Sequence, residues 1–418
     1  MIAWLKNLPL PSSPGELVKN SFFIFSVRIL QKLLGAVTLF FLVRSLSQDA
    51  FAHYNLILSV IGFMSLFTLP GLNNAIIQSR ARGFGGTFRK ALPVSMLVSV
   101  AGSLIIAAIA VYFYFDDQED LANGFIIAAI LLPLSHAMVQ WKCIWMGDEK
   151  FKSLSNVSIA NSIIKSVLMI FFIWLIPGSF FWPLLVFLLL PAIQNIRYTL
   201  LMMGQIPKSE PAEDGALAYG IKTSFYASFN AMAVQVDKLM IFLCLSPAAL
   251  AIYVVAEKVP EGIKALIGDL ALVIGPRLSK HNEYTPRLEK IFLIFSIVAG
   301  TGIIAIAFLV LPWGIPLVFG EEYNVSVPYA QALMCTIAFA NVSPLRYQFL
   351  LSRIDPQSIK TVNVVMSLTR IASAVILIPF FGIVGAVISA FIHRIASTVA
   401  VQVIIRKRYP FPKQAVPL

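Results

Sequence analysis

Apolar runs long enough to cross a bilayer recur twelve times along this 418-residue chain, and that recurrence excludes almost every soluble fold. The runs span approximately 20–43, 51–77, 91–115, 121–146, 156–176, 180–203, 217–245, 247–275, 289–311, 325–351, 358–379 and 382–405. Only 12% of residues are charged, against about 25% in ordinary soluble domains, and the mean hydropathy is +0.83. The reading is an all-α polytopic membrane protein of about twelve transmembrane helices. Pro9, Pro11 and Pro14 interrupt the first stretch, so no cleavable signal is expected.

The loops between the runs alternate in charge. One set holds Lys6 and Lys19; Arg80, Arg82, Arg89 and Lys90; Lys150 and Lys152; Lys208; Arg277, Lys280, Arg287 and Lys290; Arg353 and Lys360; and Arg406, Lys407, Arg408 and Lys413. The other set holds Asp116, Asp117, Glu119, Asp120, Glu321 and Glu322, with only Arg44 on the basic side. The positive-inside rule then puts both termini in the cytoplasm. It also accounts for the net charge of +12 without nucleic acid. Every outer loop is short, so a membrane enzyme acting outside the cell would lack a domain to hold its substrate. No P-loop, zinc-ligand spacing or GxSxG is present, and no catalytic residue, cofactor or metal site is expected. Cys143, Cys244 and Cys335 lie far apart and read as packed apolar residues.

The segment GQIPKSEPAEDG at 204–215 is polar, holds two prolines and lies near the midpoint of the chain. It reads as a linker, giving an N-terminal lobe over 1–207, a cytoplasmic loop over 208–216 and a C-terminal lobe over 217–418. The halves are related: Leu46–Tyr54 and Leu245–Tyr253 match at five of nine positions, 199 residues apart. Six spans per half make the repeats parallel, with substrate expected between the lobes near mid-membrane.

Eight basic and four acidic side chains fall well inside these spans: Arg28, Lys32, Lys165, Lys238, Lys258, Lys264, Arg370 and Arg394, against Asp237, Glu257, Glu261 and Asp269. Each costs roughly 2.5–3.5 kcal/mol near the centre of a lone membrane helix, so they cannot all face lipid. At about 100° per residue, Glu257, Glu261 and Lys264 form one stripe on the eighth helix, with Lys258 and Asp269 on the adjoining face. Ser21, Gln31 and Gly35 lie near the face of Arg28 and Lys32, and Ser224, Ser228, Gln235 and Lys238 share one on the seventh helix. These stripes predict a wet interface between the halves. Ion pairing competes with that reading, through Glu257 with Lys264 or Asp237 with a cation on a neighbouring helix. The excess of bases would leave about four cations unpaired, and an anionic ligand such as phosphate would complete them. The carboxylates, which take up protons readily when buried, would couple transport to H+ or Na+. Lys142, Arg197 and Arg346 read as snorkelling side chains, and His136 and His393 as packed histidines or parts of a proton path.

Four stretches carry a family likeness: FLVRSLSQDAFAHYNLILSVIGFMSLFTLPGLNNAIIQSRAR at 41–82, IWMGDEKFKSLSNVSIANSI at 144–163, QVDKLMIFLCLSPAALAIYVVAEKV at 235–259 and GEEYNVSVPYAQALM at 320–334. With two matched lobes, the whole chain resembles the Wzx-type O-antigen flippases of the multidrug/oligosaccharidyl-lipid/polysaccharide exporter superfamily. The resemblance implies a V-shaped fold of two six-helix lobes in the bacterial inner membrane. It implies an undecaprenyl-pyrophosphate-linked oligosaccharide as substrate, moved from the cytoplasmic to the periplasmic leaflet by alternating access. A polysaccharide polymerase and a chain-length regulator would be its protein partners. The chain is also similar to lipid II flippases, whose basic first helix Arg28 and Lys32 would match. On this reading Arg28, Lys32, Lys238, Lys258, Lys264 and Arg370 contact the substrate, and Asp237, Glu257 and Glu261 serve the coupling ion. The alternatives are a cation-coupled drug exporter of the same superfamily and a membrane polymerase or acyltransferase.

Overall fold

The computed structural model describes residues 14–278, 284–352 and 356–409, which are nearly all helical and contain no strand. Helix α1 runs Pro14–Ser45. The second span comprises α2 (Gln48–Phe63), a 3-10 turn and α3 (Gly71–Ala81). Then come α4 (Gly86–Phe115), the pair α5 (Glu119–Leu132) and α6 (Trp141–Gly147), α7 (Phe151–Leu175) and α8 (Phe181–Gln205). The later part holds α9 (Ala216–Cys244), α10 (Pro247–Leu278), α11 (Pro286–Leu309) and the short α12 (Leu311–Phe319). It ends with α13 (Ser326–Ala340), α14 (Ser343–Ser352) and α15 (Pro356–Arg408). Among the described residues, seven helical stretches are long and apolar enough to cross a membrane. Large apolar side chains such as Leu97, Leu104, Trp174 and Trp313 stay exposed on the protein surface, as lipid-facing residues do. The chain is a multi-pass membrane protein.

Three spans expected as unbroken helices are broken, at 69–70, 133–140 and 341–342. In the first, Pro70 has no N–H and disfavours helical geometry at Leu69, which adopts a left-handed φ of 50°. A freed carbonyl in the bilayer has no water to bond, so another helix must supply a donor. Ser95 Oγ of α4 donates to the Thr68 carbonyl at 2.8 Å. At Pro133 the chain widens into a π turn over Pro133–Ala137, and α8 supplies the donors. The Asn195 amide reaches the Leu134 and Ser135 carbonyls at 3.1 and 2.9 Å, and Thr199 Oγ1 reaches the Met138 carbonyl at 3.2 Å. Trp141 Nε1 in turn donates to Asn195 Oδ1 at 2.9 Å.

Helix α15 folds back on itself. Gly382 has φ 59° and ψ −139°, a combination open to glycine, and a Cβ on Gly385 would collide with the Leu377 carbonyl. Its arms, 356–381 and 383–408, correspond to the last two spans read from the sequence.

The contacts gather the chain into two compact units. One comprises residues 1–45 and 67–222, and the other 46–66 and 223–418. In the first, Leu72, Ile76, Phe88, Trp141, Ile144 and Met202 form a core at the basic-loop end. The segment 206–216 is strapped across that end. Arg80 binds Asp148 at 2.6 Å and Glu210 at 2.9 Å, and Arg82 binds Glu213 at 2.7 Å. The Gly86 N–H donates to the Pro211 carbonyl at 3.1 Å, an approach that any Cβ on Gly86 would block.

In the second unit α2 packs against α10. These helices begin with the repeated nonapeptide, and its shared serine explains part of the match. Ser47 Oγ accepts the Ala50 N–H at 3.2 Å, and Ser246 Oγ accepts the Ala249 N–H at 3.1 Å. Each is an N-cap, satisfying one of the donors that a helix start leaves open. Tyr54 and Tyr253, the last residues of the two copies, are both buried.

Candidate functional site

Helices α9, α10 and α15 bring most of the in-membrane charges together within the second unit. Asp237 of α9 is fully buried. Its Oδ2 accepts hydrogen bonds from Tyr253 Oη of α10 at 3.0 Å and from the Arg370 guanidinium of α15. Its Oδ1 is buried with no hydrogen-bond partner. One residue on, the Lys238 ammonium lies 2.9 Å from Glu257 Oε2 and 3.8 Å from Glu261 Oε1. Lys258 pairs with Glu261 at 3.8 Å. The ion-pair reading therefore holds for Asp237, with Arg370 as the neighbouring-helix cation. Glu257 takes Lys238 where Lys264 was expected. Gln235, on the same helix, packs against Gly62 of α2, where a Cβ would strike its side chain.

This pairing sorts the bases of the unit. Among the described residues, Asp237, Glu257 and Glu261 are engaged by Arg370, Lys238 and Lys258. Lys264 and Arg394 have no carboxylate within 4 Å among the described residues. The two line a pocket of about 40 Å³ together with Glu257, Glu261 and Arg370. They also line a larger cavity of about 520 Å³ with Ser343, Tyr347, Asn363 and His393. The reading from sequence counted Arg394 among the membrane charges but not among the site residues. Tyr253, the hydrogen-bond partner of Asp237, was missed, because a tyrosine in an apolar run gives no signal of its own.

On the first helix the Arg28 side chain lies outside the described residues, as do those of Ser21, Ser228 and Asp269. Lys32 is exposed. Gln31 binds α7, donating to the Ser158 carbonyl at 3.3 Å and to Ser162 Oγ at 3.0 Å, and is thus a packing contact of the first unit. Lys165 sits 4.7 Å from the centre of the Phe187 ring, a cation–π contact. Arg346 does not snorkel. It is buried and paired with Glu289, which also accepts from Tyr284 Oη. Of the cysteines Cys143 is packed, whereas Cys244 lies on the surface. His393 Nδ1 bonds the Met366 carbonyl at 3.0 Å, so that nitrogen carries the proton. Among the described residues no group of His, Cys, Asp and Glu is arranged to hold a metal.

The fold has relatives among solved structures. A multidrug-resistance MATE transporter of the MOP superfamily, inward-facing, superposes with TM-score 0.65 at 14% identity, covering 93% of this chain and 98% of its own. The lipid II flippase MurJ, inward closed, gives 0.60 at 16% identity, covering 94% and 88%. A MOP-superfamily transporter from Pyrococcus furiosus, described by the reverse polarity of its binding pocket, gives 0.59 at 14%, covering 92% and 94%. No curated protein matches the chain. The family model described as polysaccharide biosynthesis protein matches residues 17–282, well over half of the sequence. The chain thus belongs to the polysaccharide biosynthesis protein family and has the helical fold of the MOP-superfamily exporters.

Proposed function

We propose that this protein flips undecaprenyl-pyrophosphate-linked oligosaccharide repeat units, of O-antigen or a related surface polysaccharide, from the cytoplasmic to the periplasmic leaflet of the bacterial inner membrane. Two six-helix lobes, with both termini cytoplasmic, would alternate in access. The observation that carries the reading is the charge balance of the second unit. Asp237, Glu257 and Glu261 are paired with Arg370, Lys238 and Lys258, and Lys264 and Arg394 line a cavity with no ion pair of their own among the described residues. A drug exporter for cations would instead leave carboxylates uncompensated. Membership in a polysaccharide biosynthesis family supports an anionic, sugar-bearing cargo.

Lys264, with Arg28 and Lys32 on the first helix, contacts the substrate. Lys238, Lys258 and Arg370 act with Asp237, Glu257 and Glu261 as an exchangeable ion-pair network. The free Oδ1 of Asp237 gives a coupling ion, H+ or Na+, a place to bind. Charge pairs drive directional movement only if they differ between the two states. The test is leaflet accounting in a deletion strain of the native host. Intact single repeat units should accumulate on the cytoplasmic face, and wild type but not Lys264→Ala should relieve the block. Accumulation on the periplasmic face would overturn the reading and point to a polymerase or ligase.

A further inference from the structure

Lys264 and Arg394 come from different helices, α10 and the 383–408 arm of α15, and meet in the wall of one cavity. Arg394 Nε is buried with no hydrogen-bond partner. Lys264 is open to the cavity and Arg394 half-buried. Glu257 and Glu261 share the small pocket with them but are paired with Lys238 and Lys258, so two neighbouring cations repel each other with no ion pair of their own among the described residues. Sites of this kind are completed by an anion. A guanidinium offers a planar fork to phosphoryl oxygens, and an ammonium adds a mobile point charge.

The rest of the wall is neutral and rich in hydrogen-bonding groups. Tyr347 Oη donates to Asn363 Oδ1 at 3.1 Å, which fixes the amide and leaves its NH2 available. His393, with Nδ1 committed to the Met366 carbonyl, keeps Nε2 as an acceptor when neutral. Ser343 pairs with Ser397 at 3.3 Å. Donors and acceptors set out in this way suit the hydroxyls of a sugar.

We infer that this cavity, lying within the second unit alone, is a phosphoryl-sugar site: Arg394 and Lys264 take the phosphoryl oxygens, and Asn363, His393 and Ser343 take hydroxyls of the attached sugar. The inference rests on the flippase reading and deepens it by naming the residues that would hold the head of the cargo. Phosphoryl groups also come from ordinary anionic lipids, so the test must separate the two sources.

The experiment uses the purified full chain in nanodiscs, with three probes: undecaprenyl diphosphate, undecaprenyl diphosphate bearing one hexose, and cardiolipin. Binding is read by native mass spectrometry. Arg394→Gln and Lys264→Gln should each weaken both polyprenyl probes at least tenfold, with Arg394→Lys retaining part of the affinity. Asn363→Ala should weaken only the hexose-bearing probe. Unchanged binding by Arg394→Gln, or loss confined to cardiolipin, overturns the site. The face on which repeat units accumulate in the deletion strain is read without any variant, so the site can fail while the flippase reading stands. Hexose-probe binding by wild type, with repeat units stranded on the periplasmic face, would support the site and overturn the flippase reading.

Discussion

Removing one member of the Asp237–Arg370 pair strands the other in the protein interior, a loss that costs about 3–5 kcal/mol where burial is complete. Asp237→Asn alone should therefore lower the melting temperature of the purified protein sharply. The double variant Asp237→Asn/Arg370→Gln should recover much of the loss, because no lone charge remains. A double variant no better than the worse single one would show that the two side chains do not compensate each other. The N-caps set a smaller scale. Ser47→Ala and Ser246→Ala should each cost about 1 kcal/mol, read by denaturant titration. The individual charges were legible in the sequence because each is an anomaly inside an apolar run. Their partners were not, since Asp237 and Arg370 lie 133 residues apart and helical periodicity gives faces without neighbours.

The strap over 206–216 shows the same limit for elements. Its prolines and mixed charge marked it as a connection, and nothing in its composition told that it would bind the C-terminal end of α3 and the start of α4. Hydrogen bonds from Arg82 and Ser79 hold the carboxyl of Glu213, within the strap, below its ordinary range. A carboxyl depressed in the folded state stabilises above its unfolded pKa, and that stabilisation is lost as pH falls through the folded value. Amide exchange in 206–216 should thus be slow at neutral pH and rise below about pH 4, the ordinary carboxylate range. Exchange independent of pH, after correction for the intrinsic rate, would contradict the ionic strap. Breaks in helices are a related case. Pro70 and Pro133 were visible as residues, yet the apolar runs around them read as continuous because Ser95 and Asn195, which satisfy the freed carbonyls, lie on other spans.

Across the whole molecule, the twelve apolar runs were readable because the bilayer demands length and apolarity from a crossing; each run is helical among the described residues, and seven helical stretches meet that demand in full. What the linear order hid is the membership of the second span. Residues 46–66 group with the later unit, and the chain returns to the earlier one at Phe67. The two units are therefore stitched by three covalent passages, at 45–46, 66–67 and 222–223, and a cut in the linker severs none of them. A polypeptide of residues 217–418 made alone would lack α2 and leave the face of α10 that receives it bare. A gene split at the midpoint would yield two products, neither of which contains a whole unit.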